Sequence, residues 1–301
     1  MTPTFGRALC AMITPFTETG ALDLDGAQRL AAHLITEGCD GLVLSGTTGE
    51  SPTTTDAEKS ALLKAVRQAV GPTVPLLTGV GTSDTHHTLQ LTAQAADSGA
   101  TGILLAPPSY SRPPQDAVES HLREIADASE LPVMLYDIPA RTATRLEPTT
   151  LLSLADHPRI IAVKDCSYDF LAAQKLISRT DLAYYAGCDE HNLALRAIGA
   201  TGYVSTVANA APRQVRAVLD HFNAGNTSAA TRTQHHLIPL TELMTASGLP
   251  ATVTAKALLT SLTLPAGPVR RPLLNAPEHI RKTLRTAYDE LTTRTTEPPL
   301  R

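Results

Sequence analysis

No stretch of this 301-residue sequence approaches the ~20 consecutive apolar residues that a membrane helix needs. The first residues also lack the charged start and long apolar core of a secretory signal, since the apolar run at 8–13 is stopped by Pro15. A cytoplasmic chain is the expectation. Positive charge is not in excess either: 25 Lys and Arg against 29 Asp and Glu leave a formal net charge of −4. The chain as a whole therefore attracts neither nucleic acid nor an acidic membrane surface, and a small-molecule partner is expected. Cysteine is sparse. Cys10, Cys39, Cys166 and Cys188 are scattered, with no C-x-x-C pair and no histidine at zinc-finger spacing, and read as reduced, packed thiols. The doublets His86–His87 and His235–His236 lack the i, i+4 spacing of a helical metal site and read as surface histidines, so no metal is expected. Ser45 lies in S-G-T-T-G rather than G-x-S-x-G, and G-V-G-T from Gly79 is not a dinucleotide fingerprint. Neither a serine hydrolase nor a nicotinamide cofactor is indicated.

What is present is an alternation of short apolar runs with longer amphipathic stretches, the pattern of repeated βα units. Strands are predicted at 8–14, 41–45, 75–79, 102–106, 132–137, 160–164, 183–186 and 202–205. Helices are predicted between them, for instance at 56–70, 86–98, 116–129 and 214–224, several entered through Thr, Ser or Asp caps. Eight strands and this length suit an α/β fold, a (β/α)8 TIM barrel, although the same count could be wound as an open sheet. After about Gly225 only helices follow, at 228–247, 253–260 and 277–293. The expected organisation is a catalytic barrel over 1–225 and a C-terminal helical domain over 226–301, with 292–301 expected to fray.

Lys164 stands out because IIAVK puts a lysine at the carboxyl end of an apolar, β-branched strand, where barrels build active sites. Desolvation there lowers an amine's pKa and lets it attack a ketone near neutral pH. The other five lysines fall in predicted helices. The ordinary alternative is a structural lysine paired with Asp165 or another carboxylate. A second feature is GTTGES at 46–51, a strand-to-helix turn able to aim backbone N–H groups and hydroxyls at a small carboxylate; otherwise it is a plain glycine turn. The third is LYDIPART at 135–142, with Tyr136 ending a strand and Arg141 in the following loop. A tyrosine there can shuttle protons and an arginine can grip a carboxylate, or the two are a core tyrosine and a solvated arginine. In a barrel all of these share one face.

GTTGES, YSRP at 110–113, LYDIPART and VKD together resemble the dihydrodipicolinate synthase and N-acetylneuraminate lyase family, in register from about Arg7 to Pro212 and more loosely beyond. Within it, LYDIP followed by an arginine is similar to the actinobacterial synthases. The resemblance implies a pyruvate-dependent class I aldolase, a homotetramer or homodimer, that needs no cofactor because a covalent lysine–pyruvate imine carries the chemistry. By position it implies Lys164 as the Schiff-base lysine, Tyr136 as proton shuttle, and Thr47 as relay between Tyr136 and a Tyr110 that reaches into a neighbouring subunit. It further implies Thr48 on the pyruvate carboxylate, Arg141 on the carboxylate of L-aspartate 4-semialdehyde, and Gly187 and Val204 lining the pocket. An aldolase for another aldehyde and a non-catalytic pyruvate-binding barrel are the rival readings.

Some positions depart from the family pattern. Asp137 stands where many relatives carry Asn, Ala143 where Gly is frequent, Ser109 where a second Tyr is common, and Cys188 where Asp is usual. In lysine-inhibited relatives an interface pocket uses His, Asn, Glu and Tyr. The matching positions here hold Asp56, Lys59, Ser83, His87 and Ser109, so weak or absent inhibition by lysine is expected.

Overall fold

Eight parallel strands lie side by side in chain order, and the first also pairs with the eighth, so the sheet closes into a barrel. This is a computed structural model, and it describes residues 3–296. The strands are β1 Ala8–Ala11, β2 Gly41–Leu44, β3 Leu76–Gly79, β4 Gly102–Leu105, β5 Val133–Asp137, β6 Ile160–Asp165, β7 Ala183–Ala186 and β8 Gly202–Ser205. The helices are α1 Leu24–Thr36, α2 Asp56–Val70, α3 Thr85–Asp97, α4 Gln115–Ala128, α5 Pro139–Thr142, α6 Pro148–Leu154, α7 Phe170–Arg179, α8 Asn192–Ala197, α9 Pro212–Asn223, α10 Thr227–Thr245, α11 Ala251–Ser261 and α12 Glu278–Thr296. Closure excludes the open doubly wound sheet. The α/β TIM barrel read from the sequence is the fold.

Because successive strand residues face opposite ways, each strand feeds two cores. Leu9, Val43, Leu77, Leu104, Met134, Ala162, Tyr185 and Val204 fill the barrel interior. Their neighbours Cys10, Leu42, Leu76, Ile103, Val133, Val163, Tyr184 and Tyr203 pack outward under the helices. This period of two decides the site: Tyr136 follows Met134 inward, and Lys164 follows Ala162 inward.

The helices begin where short polar side chains satisfy free N–H groups. Thr55 and Glu58 form a capping box on α2, and Asp23, Asp84 and Asp169 cap α1, α3 and α7. Strand β1 is shorter than expected, ending at Ala11, because the Ile13 N–H is taken by the Asn209 side chain at 3.0 Å rather than by a neighbouring strand. Strand β2 stops at Leu44 because Ser45 turns into the left-handed region, with φ 51°. Residues 292–296 of the segment expected to fray are helical, as the last part of α12; residues 297–301 lie outside the described residues. No described helix is long and apolar enough to cross a membrane.

Candidate active site

Strands β5 and β6 pair with Tyr136 directly opposite Lys164, both at the carboxyl end of the barrel. Lys164 is 5% exposed, and its ammonium nitrogen lies 4.1 Å from the centre of the Tyr136 ring. Burial pushes its pKa below the ordinary lysine value, only partly offset by Cys166, Cys188 and Asp189 nearby. Asp165 does not pair with it. Being next in the strand, Asp165 faces the other way, where it accepts hydrogen bonds from the Tyr184 hydroxyl and the Ser167 N–H, each 2.7 Å. The structural ion pair that would have made Lys164 ordinary is thus not formed.

The Tyr136 hydroxyl is buried, which raises its pKa; Cys166 adds to the rise and a hydrogen bond with Thr47 opposes it. The Cys166 thiol also donates to the Tyr136 oxygen at 3.9 Å. Thr47 and Thr48 come from the bend after β2, which curls back so that the N–H groups of Gly49 and Ser51 both reach the Gly46 carbonyl. Thr48 is buried with its hydroxyl 3.1 Å from that of Thr206, beyond β8, whereas Thr47 is exposed. Thr47 after β2, Tyr136 of β5 and Lys164 of β6 are thereby brought together.

Gly187 follows β7 and must be glycine for steric reasons. A Cβ there would stand 2.4 Å from Cys166 Sγ, 2.9 Å from the Asp165 carbonyl and 3.1 Å from Lys164 Cε. Val204 is fully buried on the inner face of β8. Next to Gly187 and Cys188, the buried Asp189 accepts from the Ser205 hydroxyl and from the Thr206 and Val207 N–H groups at 3.0 and 3.1 Å, clasping the β7 and β8 ends together. Arg141 and Tyr110 sit at the rim. Arg141 is exposed in α5 and pairs with no described carboxylate; Tyr110 is 94% exposed with φ 74°. Within one chain neither touches the buried cluster.

The structure adds three features to that reading. Asp137 is buried, which raises its pKa to about 7, and accepts from the Leu146 N–H at 3.1 Å, closing the loop that carries Arg141. Cys166 and Cys188 touch beside Lys164, and the only sequence signal was that Cys166 follows the lysine by two. Lys256, placed simply in a helix, is buried against Glu50 of the GTTGES bend, from which no helical period could have warned. A cleft of about 610 Å³ lies elsewhere, lined by Arg29, Lys256, Thr260 and Arg281 among others, and none of the strand-end residues faces it. Among the described residues no three His, Cys, Asp or Glu side chains are grouped to hold a metal.

The sequence profile of the Dihydrodipicolinate synthetase family matches residues 4–291. The chain is 66% identical over 287 residues to 4-hydroxy-tetrahydrodipicolinate synthase 1 of Streptomyces coelicolor, covering 95% of this chain and 94% of that one. It is 50% identical over 273 residues to the 4-hydroxy-tetrahydrodipicolinate synthase of Acidothermus cellulolyticus, covering 90% and 88%. A crystal structure of DHDPS from Cyanidioschyzon merolae with lysine bound superimposes with a TM-score of 0.93 at 34% identity, over 96% of this chain and 99% of that one.

Proposed function

The chain belongs to the dihydrodipicolinate synthetase family, and from that membership we propose that it is a 4-hydroxy-tetrahydrodipicolinate synthase, a Schiff-base lyase of the class I aldolase type. It joins pyruvate to L-aspartate 4-semialdehyde on the route to diaminopimelate and lysine. The observation that most supports these residue roles is the buried Lys164 amine over the Tyr136 ring, in no ion pair with a described carboxylate.

In this reading the neutral Lys164 amine attacks the keto carbon of pyruvate, and water leaves with a proton delivered by the Tyr136 hydroxyl. Thr47 passes that proton to and from Tyr136, and Thr48 holds the pyruvate carboxylate through its N–H and hydroxyl. Loss of a methyl proton turns the imine into an enamine, which attacks the aldehyde carbon of the semialdehyde. Arg141, whose guanidinium pairs with no described carboxylate, orients the semialdehyde carboxylate. The substrate's own amine then displaces Lys164 as the ring closes. Gly187 and Val204 form the wall nearest the lysine. The active form is a homo-oligomer, tetramer or dimer, in which the outward Tyr110 enters a neighbour's site and completes the relay. The helices after residue 225 act as a separate helical domain that steadies the GTTGES bend.

Borohydride reduction with pyruvate tests the lysine role, and product formation with L-aspartate 4-semialdehyde tests the acceptor. The expected result is a pyruvate-dependent mass adduct on Lys164 and a cyclic product, both lost in Lys164→Ala. An adduct without product sends the assignment to another aldehyde; no adduct from folded protein leaves only a pyruvate-binding barrel.

A further inference from the structure

The proposed reaction leaves two thiols beside its lysine without a task. Cys166 follows β6 on the same inward face as Lys164, and Cys188 follows Gly187 at the end of β7. The strand ends are locked side by side, with Asp165 in register with Ala186 and the Gly187 N–H donating to the Asp165 carbonyl at 2.8 Å. Cys166 Sγ rests over Gly187, where a Cβ would come within 2.4 Å of it, and both cysteines belong to one packed cluster. Cys166 is 8% exposed and Cys188 only half-buried, so Cys188 is the more accessible of the two.

The two sulfurs are not equivalent. The hydrogen bond from Cys188 and, after it, the Lys164 charge draw the Cys166 thiol below its ordinary pKa despite burial. The same contact holds the proton on Cys188, whose pKa is raised. Cys166 is therefore the more readily ionised of the two and Cys188 the one that keeps its proton, the division of labour of an attacking and a resolving thiol. Cys10 and Cys39 also hydrogen-bond to each other, but Cys10 is fully buried under the helices, where desolvation raises its pKa, so that sulfur is out of reach of solvent.

We propose that Cys166 and Cys188 are a modification site for hydroperoxides, closing to a reversible disulfide in the pocket wall that stops imine formation at Lys164. The Cys166 thiolate attacks one oxygen of hydrogen peroxide, the O–O bond breaks, and hydroxide leaves as water with a proton from the medium. The resulting sulfenic acid is attacked by Cys188 sulfur, which loses its proton; the S–S bond forms and a second water departs. Two thiols are oxidised and one peroxide is reduced. Closure breaks the hydrogen bond between Cys166 and Tyr136 and draws Cys188 over Gly187, against which Lys164 Cε is already packed.

Formation of the bond is independent of the function proposed above, whereas its effect on pyruvate rests on that reading. Reduced full-length protein is treated with a small excess of hydrogen peroxide, denatured, alkylated and mapped by mass. A Cys166–Cys188 peptide pair lighter by two hydrogens, with Cys10 and Cys39 still alkylated, is the expected result. Pyruvate trapping by borohydride should fall in step with the linked fraction and return with dithiothreitol, and Cys188→Ser should leave Cys166 as a sulfenic acid captured by dimedone. Full alkylation of Cys166 and Cys188 after peroxide, linkage of Cys10 to Cys39 instead, or undiminished trapping in the linked protein would overturn the proposal. If the reduced protein traps no pyruvate, the synthase reading fails while the mapping still decides the thiol pair.

Discussion

Glu50, in the left-handed bend that closes GTTGES, meets Lys256 of α11 in a 2.5 Å ion pair with the two side chains 2% and 3% exposed. Lys256 also donates to the Pro268 carbonyl at 2.8 Å and lies 4.1 Å from the Phe16 ring centre, and Glu50 accepts from the Arg270 N–H at 2.9 Å. Burial pushes the Lys256 pKa down to about 8. A charge pair this dry depends on both partners. Lys256→Met should therefore lower stability by about 3–5 kcal/mol by stranding the Glu50 carboxylate, whereas Glu50→Gln with Lys256→Met should recover most of the loss. Urea unfolding of the three proteins checks this; equal losses in single and double variants would count against it.

Gly187→Ala tests the close approach at the pocket wall. The added methyl must displace Cys166, the Asp165 carbonyl or the end of Lys164. The rate of pyruvate trapping should fall between about 10- and 100-fold, because small displacements of a reacting amine are costly. An unchanged rate would mean that the wall yields without moving the lysine.

Asp137 supplies a pH dependence. Its folded pKa, about 7, is raised above the ordinary 3.8, first by burial and then by Asp165. The folded state therefore holds a proton that the unfolded state releases, so this group's contribution is fullest below pH 4 and is lost as pH rises to 7. Asp137→Asn removes that loss. Its advantage over the parent should grow from pH 4 to pH 7, reaching on the order of 2–4 kcal/mol, and stay level above. Thermal unfolding across that range measures it, and a constant difference would place the carboxylate in the ionised form throughout.

Arg141→Ala should separate the two substrates. With the guanidinium gone, KM for the semialdehyde should rise about 10- to 100-fold, the worth of a charged hydrogen-bonded contact. Pyruvate trapping should remain as in the parent. Equal damage to both would make Arg141 a structural residue.

Inhibition by lysine is expected to be weak. At the positions of the inhibitor pocket of lysine-inhibited relatives, His87 Nε2 sits 2.8 Å from the Asp56 carboxylate, so that acid is already engaged, and the Lys59 ammonium lies 3.8 Å from it. Steady-state rates should hold across millimolar lysine; a saturating inhibition curve would show that the pocket accepts it.

The barrel was legible because parallel strands buried on both faces are written as short apolar runs, and β7 and β8 match their predicted limits residue for residue. Limits slipped where a side chain replaced a strand partner, as Asn209 does at Ile13. Lys164 and Tyr136 could be read because a strand's end and its two-residue period together say which way a side chain points. Lys256 could not, since α11 is buried on most sides, threonines included, and its sequence does not name the distant acid it covers. The thiol pair was equally silent: 166 and 188 become neighbours only once the register of β6 on β7 is known.

The Thr252 hydroxyl reaches the Thr47 carbonyl across 205 residues of chain, and the Glu50–Lys256 contact spans nearly the same interval. During synthesis every strand of the barrel leaves the ribosome before the α11 residues that hold the GTTGES bend. A nascent chain cut short of α11 is thus a barrel whose pocket is unfinished, and competence for chemistry arrives in one late step rather than growing with each βα unit.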